Sequence, residues 1–127
     1  MRDAVNSCDA PAAIGPYSQA IRAGGLLFIS GQIPLDPESG QVIDGDVVAQ
    51  THRVMRSLGA ILAAAGASYD HVVRTTIFLT DLGDFARVNE VYGSYFNEPA
   101  PSRATVEVAA LPKGVSVEID AIAHLPS

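Results

Sequence analysis

The sequence predicts an α+β fold, a mixed β-sheet with two helices packed on one face. Stretches of two-residue alternation and of helical spacing follow one another in the order ββ-α-β-α-ββ. Both helical stretches are amphipathic, so each has one face to bury. No repeat or linker divides the 127 residues, which are expected to form a single domain, 1–127.

Residues 9–16 (DAPAAIGP) are an apolar loop with Pro11, Gly15 and Pro16. Tyr17–Ala23 and Leu26–Gln32 read as strands joined through Gly24-Gly25, a hairpin signal because both turn residues must take positive φ. DPESG at 36–40 is a turn by composition. Residues 46–65 form a helix with Val47, Val54, Leu58, Ile61, Leu62 and Ala65 on one face; Asp46 is its N-cap and Gly66 its stop. Val72–Thr80 is a strand with Val73, Thr75, Ile77 and Leu79 on one side. Asp84 caps a second helix whose apolar positions are Phe85, Val88, Tyr92, Tyr95 and Phe96. A Pro-rich loop, 98–102, precedes two last strands, 103–110 and 115–123, which read as a hairpin around Leu111–Gly114.

In that hairpin Ala110 pairs with Val115, Val108 with Val117 and Val106 with Ile119, which joins the two apolar faces under the helices. The other face then holds Arg103, Thr105 and Glu107 beside Glu118, Asp120 and Ile122, with Glu107 opposite Glu118. Like charges directly opposite are destabilising. Two readings stay open: a solvated outer face, or a face that meets another subunit and frames a polar pocket. In such a pocket one carboxylate would have a raised pKa and handle protons.

Composition narrows the function classes. Eight basic residues against fourteen acidic give a net charge of −6, and no Lys/Arg stripe stands out. Nucleic acid and anionic membrane are poor partners for such a chain. Charged residues make up only 17%, below the roughly one quarter usual for soluble domains, which implies that some surface lies against another subunit. The single cysteine, Cys8, excludes an internal disulfide. A polar start and the lack of a long apolar run point to a cytoplasmic protein. His52, His71 and His124 lack metal-ligand spacing, and no Walker loop, GxGxxG, HExxH or GxSxG occurs. No metal and no cofactor are expected.

Five motifs in order carry a more specific signal. They are APAAIGPYSQA at 10–20, FISGQIPLDPESG at 28–40, RTTIFLTDLGDFARVNEVY at 74–92, PSRATVEVAALPKG at 101–114 and VEIDAIA at 117–123. Together they make the chain resemble the reactive intermediate deaminase family, RidA/YjgF, from about Ala10 to Ala123. The resemblance implies a chorismate mutase-like fold and a homotrimer with its sheets around a central axis. It implies sites in clefts between subunits. The implied activity is hydrolysis of reactive enamines and imines, such as 2-aminoacrylate, to 2-oxo acids and ammonia. These are by-products of pyridoxal enzymes.

By the same resemblance Arg103 holds the substrate carboxylate. A planar fork of donors suits that role; the alternative is an ordinary ion pair with Glu107 or Asp120. Glu118 positions the attacking water. Tyr17, Ser30, Gly31 and Asn89 are further cleft positions. The chain departs from many members in carrying Thr105 where they have a cysteine, so a thiol nucleophile is excluded there, while Thr105 can still donate a hydrogen bond. The loop 97–102 is shorter than in some relatives. Competing expectations are a 2-oxo-acid-binding module without turnover, an aminoacrylate-peracid-type reaction, and a ribonuclease or translation-inhibitor role, which the −6 charge opposes.

Overall fold

The computed structural model describes residues 1–127. The main elements are β1 (Asp3–Val5), β2 (Ala20–Ala23), β3 (Leu26–Gln32), α1 (Val47–Ala64), β4 (Val72–Leu79), α2 (Phe85–Gly93), β5 (Ser102–Glu107) and β6 (Val117–His124). The sheet order is β1-β2-β3-β6-β4-β5, antiparallel throughout except for the parallel pair β4–β5. Two helices packed on one face of a mixed sheet are therefore what the chain forms.

Local chemistry accounts for most elements. The Asp46 carboxylate accepts the Ala49 N–H at 3.1 Å and starts α1. Gly66 takes φ +77 just past its end, where an L side chain would be strained. Val47, Val54, Leu58, Ile61 and Leu62 are buried as their spacing requires. Gly24 and Gly25 both have positive φ, and Ala23 pairs with Leu26 across them. The core lies between helices and sheet, built from Leu27, Ile29, Ile77, Leu79, Val117 and Ile119 below α1 and α2. Each such side chain contributes roughly 1.5–3 kcal/mol. No helix is long and apolar enough to cross a membrane.

Several expectations change. β1 was not foreseen; it pairs with β2 and places Val5 in the core. Val73 is exposed, because a register shift between Val72 and Arg74 turns it away from the helices. Asp84 makes no cap bond; it is the last residue of a 3-10 turn, 82–84, and pairs with Arg87. α2 ends at Gly93, before Tyr95 and Phe96, although both rings pack against the core.

The largest correction concerns the C-terminal hairpin, which does not form. β5 lies parallel to β4, with Arg103 beside Thr75 and Val106 beside Phe78. β6 inserts between β3 and β4. The physical reason is burial. Val117, Ile119, Ala121 and Ala123 give β6 a wholly apolar face that the centre of the sheet can cover. The link between the strands carries Lys113 and Gly114 at positive φ around Pro112, which lacks an N–H, so it makes a separate turn and not a tight hairpin.

Two consequences follow for the side chains. Glu107 lies beside Leu79 and accepts the Leu82 N–H at 2.9 Å, so the predicted clash with Glu118 is absent. The faces of β5 are also reversed. Thr75, the partner of Arg103, is wholly buried under α2, so Arg103 and Thr105 face the helices. Val106, 41% exposed, lies on the open side with Phe28, 42% exposed, and the half-buried Phe78 and Ile122.

Candidate active site

The residues singled out from the sequence separate into two groups, one on each side of the sheet.

The first group gathers around Glu118. β6 alternates, so burying Val117 and Ile119 turns Glu118 to the open side. β3 loses register between Ile29 and Gln32, and Gly31 sits in that break. A Cβ on Gly31 would fall inside the Glu118 carboxylate, so glycine is what lets the carboxylate lie against the β3 backbone. The Ser30 hydroxyl donates to the Ser18 carbonyl at 2.6 Å. Tyr17 is half exposed, and its hydroxyl accepts the Ile14 N–H at 3.3 Å. Tyr17, Ser30, Gly31 and Glu118 line one cleft of about 530 Å³, with Ile14, Ile33 and Leu35 as apolar wall and Lys113 at its edge.

Gln19 was missed in the sequence, though it stands inside the 10–20 motif. Its buried amide accepts the Ser7 N–H at 2.7 Å and donates to the carbonyls of Ser7, Ala10 and Pro11. A fully satisfied buried amide pins the loop that carries Tyr17. Loss of solvent raises the Glu118 pKa, and Asp120, two residues along the same face, raises it further. Asp120 itself accepts the Thr76 N–H at 3.2 Å.

Gly31→Ala gives a clean expectation. The carboxylate is the flexible partner and swings aside, so the protein stays folded with a Tm within a few degrees of wild type. The hydrolysis proposed below should fall about as far as in a variant lacking the Glu118 carboxylate. Near-normal turnover would show that the contact is only packing.

The second group gathers around Arg103. Its Nη1 donates to the Asn89 Oδ1 at 2.6 Å. The guanidinium carbon lies 5.1 Å from the Tyr92 ring centre and 5.5 Å from that of Phe85. No carboxylate reaches it; the one ion pair in the chain within 4 Å is Arg87–Asp84. The alternative of an ion pair with Glu107 or Asp120 is thereby excluded within the chain. Beside it, the Thr105 hydroxyl is buried without a partner, a cost of about 1–3 kcal/mol that a further acceptor or donor would remove.

The two groups do not meet within one chain. β4 separates β5 from β6, two strand spacings or roughly 10 Å, and Arg103 and Glu118 point to opposite sides. The expected face shared by Arg103, Glu107, Glu118 and Asp120 is thus replaced by two separate clusters. Tyr17, Ser30, Gly31 and Glu118 form one; Asn89, Arg103 and Thr105 form the other.

Known proteins are similar to this chain in sequence and architecture. Residues 7–125 match the family described as endoribonuclease L-PSP. Protein DfrA of Myxococcus xanthus is 64% identical over 124 residues, covering 96% of this chain and 95% of that protein. The mouse 2-iminobutanoate/2-iminopropanoate deaminase is 50% identical over 123 residues, covering 97% and 91%. The crystal structure of E. coli TdcF with bound serine superposes with a TM-score of 0.92 at 43% identity, over 98% of this chain and 99% of that one. With its fold, its five motifs and these relatives in agreement, the chain belongs to the endoribonuclease L-PSP family, the RidA/YjgF proteins.

Proposed function

We propose that this chain hydrolyses 2-enamine and 2-imine acids, such as 2-aminoacrylate, to 2-oxo acids and ammonia, at sites shared between subunits of a homotrimer. The division of the site carries the reading. One half offers a desolvated carboxylate and no guanidinium. The other offers a fixed guanidinium and no carboxylate. Each half lacks what the other has. The open side of the sheet, where Phe28 and Val106 are exposed, supplies a surface on which copies can pack. Relatives named for imine deamination, and TdcF with a serine bound, fit a small carboxylate-bearing ligand. The net charge of −6 opposes RNA as substrate.

Chemically, the enamine tautomerises to an imine, and Arg103 of one subunit binds its carboxylate. Glu118 of the neighbour takes a proton from water as the oxygen adds to the carbon of the N-protonated imine. It then returns that proton to nitrogen, and as the C–N bond breaks and ammonia leaves, Glu118 takes the hydroxyl proton and the C=O bond of the 2-oxo acid forms. Tyr17 closes over the ligand, Gly31 lets a backbone N–H approach, and Ser30 and Thr105 complete the polar lining. The step draws on no cofactor or metal. This reading places the enzyme in the cytoplasm, where it clears by-products of pyridoxal enzymes.

The test uses two dead variants. Arg103→Ala and Glu118→Gln are assayed alone and after mixing as dissociated chains, following 2-oxo acid and ammonia from freshly generated 2-aminoacrylate. Random assortment restores both intact halves at about a quarter of the interfaces, so roughly a quarter of wild-type activity should return. No acceleration by wild type sinks the hydrolysis. An active wild type with no recovery on mixing sinks the shared site.

A further inference from the structure

Arg103 meets α2 along a single stripe. Phe85, Asn89 and Tyr92 stand at i, i+4 and i+7, so all three rise on one face of the helix. They differ in what else holds them. Tyr92 is buried, its ring 4.8 Å from that of Phe96 and its hydroxyl 2.7 Å from Thr75 Oγ1. Phe85 is 37% exposed at the first turn and lies outside the core cluster. The contact that distinguishes it is the guanidinium 5.5 Å away.

Ring faces attract a cation without neutralising it. A carboxylate in their place would occupy the fork of donors and cancel the charge. Of the five N–H donors of Arg103, one on Nη1 has a protein acceptor. The guanidinium is therefore oriented, charged and still free to bind an anion. We infer that Phe85 and Tyr92 are positioning residues, an aromatic clamp that holds Arg103 ready for the substrate carboxylate. The inference rests on the reading of Arg103 as the carboxylate anchor.

Phe85→Leu keeps apolar bulk and removes the ring. KM for 2-iminobutanoate should rise roughly five-fold with kcat within about two-fold of wild type, because a binding contact is lost and not a transition-state one. Phe85→Tyr should restore KM. The Arg103 Nε–H resonance, assigned by its absence in Arg103→Ala, should lose in Phe85→Leu the part of its ring-current shift that the Phe85 ring supplies, the Tyr92 ring remaining in place. An unchanged KM and resonance in Phe85→Leu, or no rescue by Phe85→Tyr, overturns the clamp. Wild type without turnover overturns the deaminase reading alone. The resonance shift and the Kd of 2-oxobutanoate then decide the clamp.

Discussion

Arg103→Ala should lower kcat/KM for 2-iminobutanoate by a factor of about 10² to 10³. A bidentate charge-assisted pair between guanidinium and carboxylate accounts for a loss of that order. The fold should survive. Arg103 makes no ion pair and a single side-chain hydrogen bond, and it lies half-buried on an edge strand. Size-exclusion chromatography should show the wild-type assembly. Arg103→Lys should recover little of the loss, because an ammonium is a point charge without the fork and does not span both rings in the same way. The measurement is initial-rate ammonia release over a substrate range. Wild-type kinetics in the alanine variant would remove Arg103 from the site.

Glu118→Gln should reduce kcat by about 10² to 10⁴, the range for losing one positioned proton shuttle, with little change in KM. The pH dependence follows from the direction of the shift. Desolvation and Asp120 hold the Glu118 pKa above its ordinary value of 4.5. The base form is ionised, so wild-type kcat should fall as pH drops through that raised value, earlier than an exposed glutamate would cause.

The same shift makes a stability statement. An acid whose folded pKa is raised contributes stability below its unfolded value. That contribution is lost as pH rises through the folded one. Glu118→Gln removes the charge that folding disfavours. It should therefore melt higher than wild type at pH 7, and the gap should close below about pH 4, as the carboxyl becomes protonated in both states. Higher stability with lost turnover is the signature of a functional charge held in an unfavourable place. Equal melting at both pH values, with activity retained, would return Glu118 to the status of a solvated strand residue.

What the sequence determined by itself was local and periodic. The α1 stripe of Val47, Val54, Leu58, Ile61 and Leu62, its Asp46 cap and its Gly66 stop are all present. So is the Gly24-Gly25 turn. Periodicity and capping depend on neighbours a few residues apart, and they survive any arrangement of the rest. The motifs likewise singled out Glu118, Gly31, Ser30 and Tyr17, which the fold brings into one cleft.

Strand partners were decided by the tertiary structure. Alternation says which residues of 103–110 share a face, but it is the same for a hairpin and for a parallel edge strand. Competition for the covered centre of the sheet, won by the wholly apolar face of β6, sends β5 to the edge beside β4. That choice turns Arg103 toward α2 and the rings of Phe85 and Tyr92, and leaves Glu118 on the opposite side. It also makes Gln19 the anchor of the Tyr17 loop, through carbonyls as many as twelve residues away in sequence. The residues of the proposed site stand in the motifs. Their division into two halves came from long-range pairing, because burial is settled by the whole sheet at once and not by any one strand.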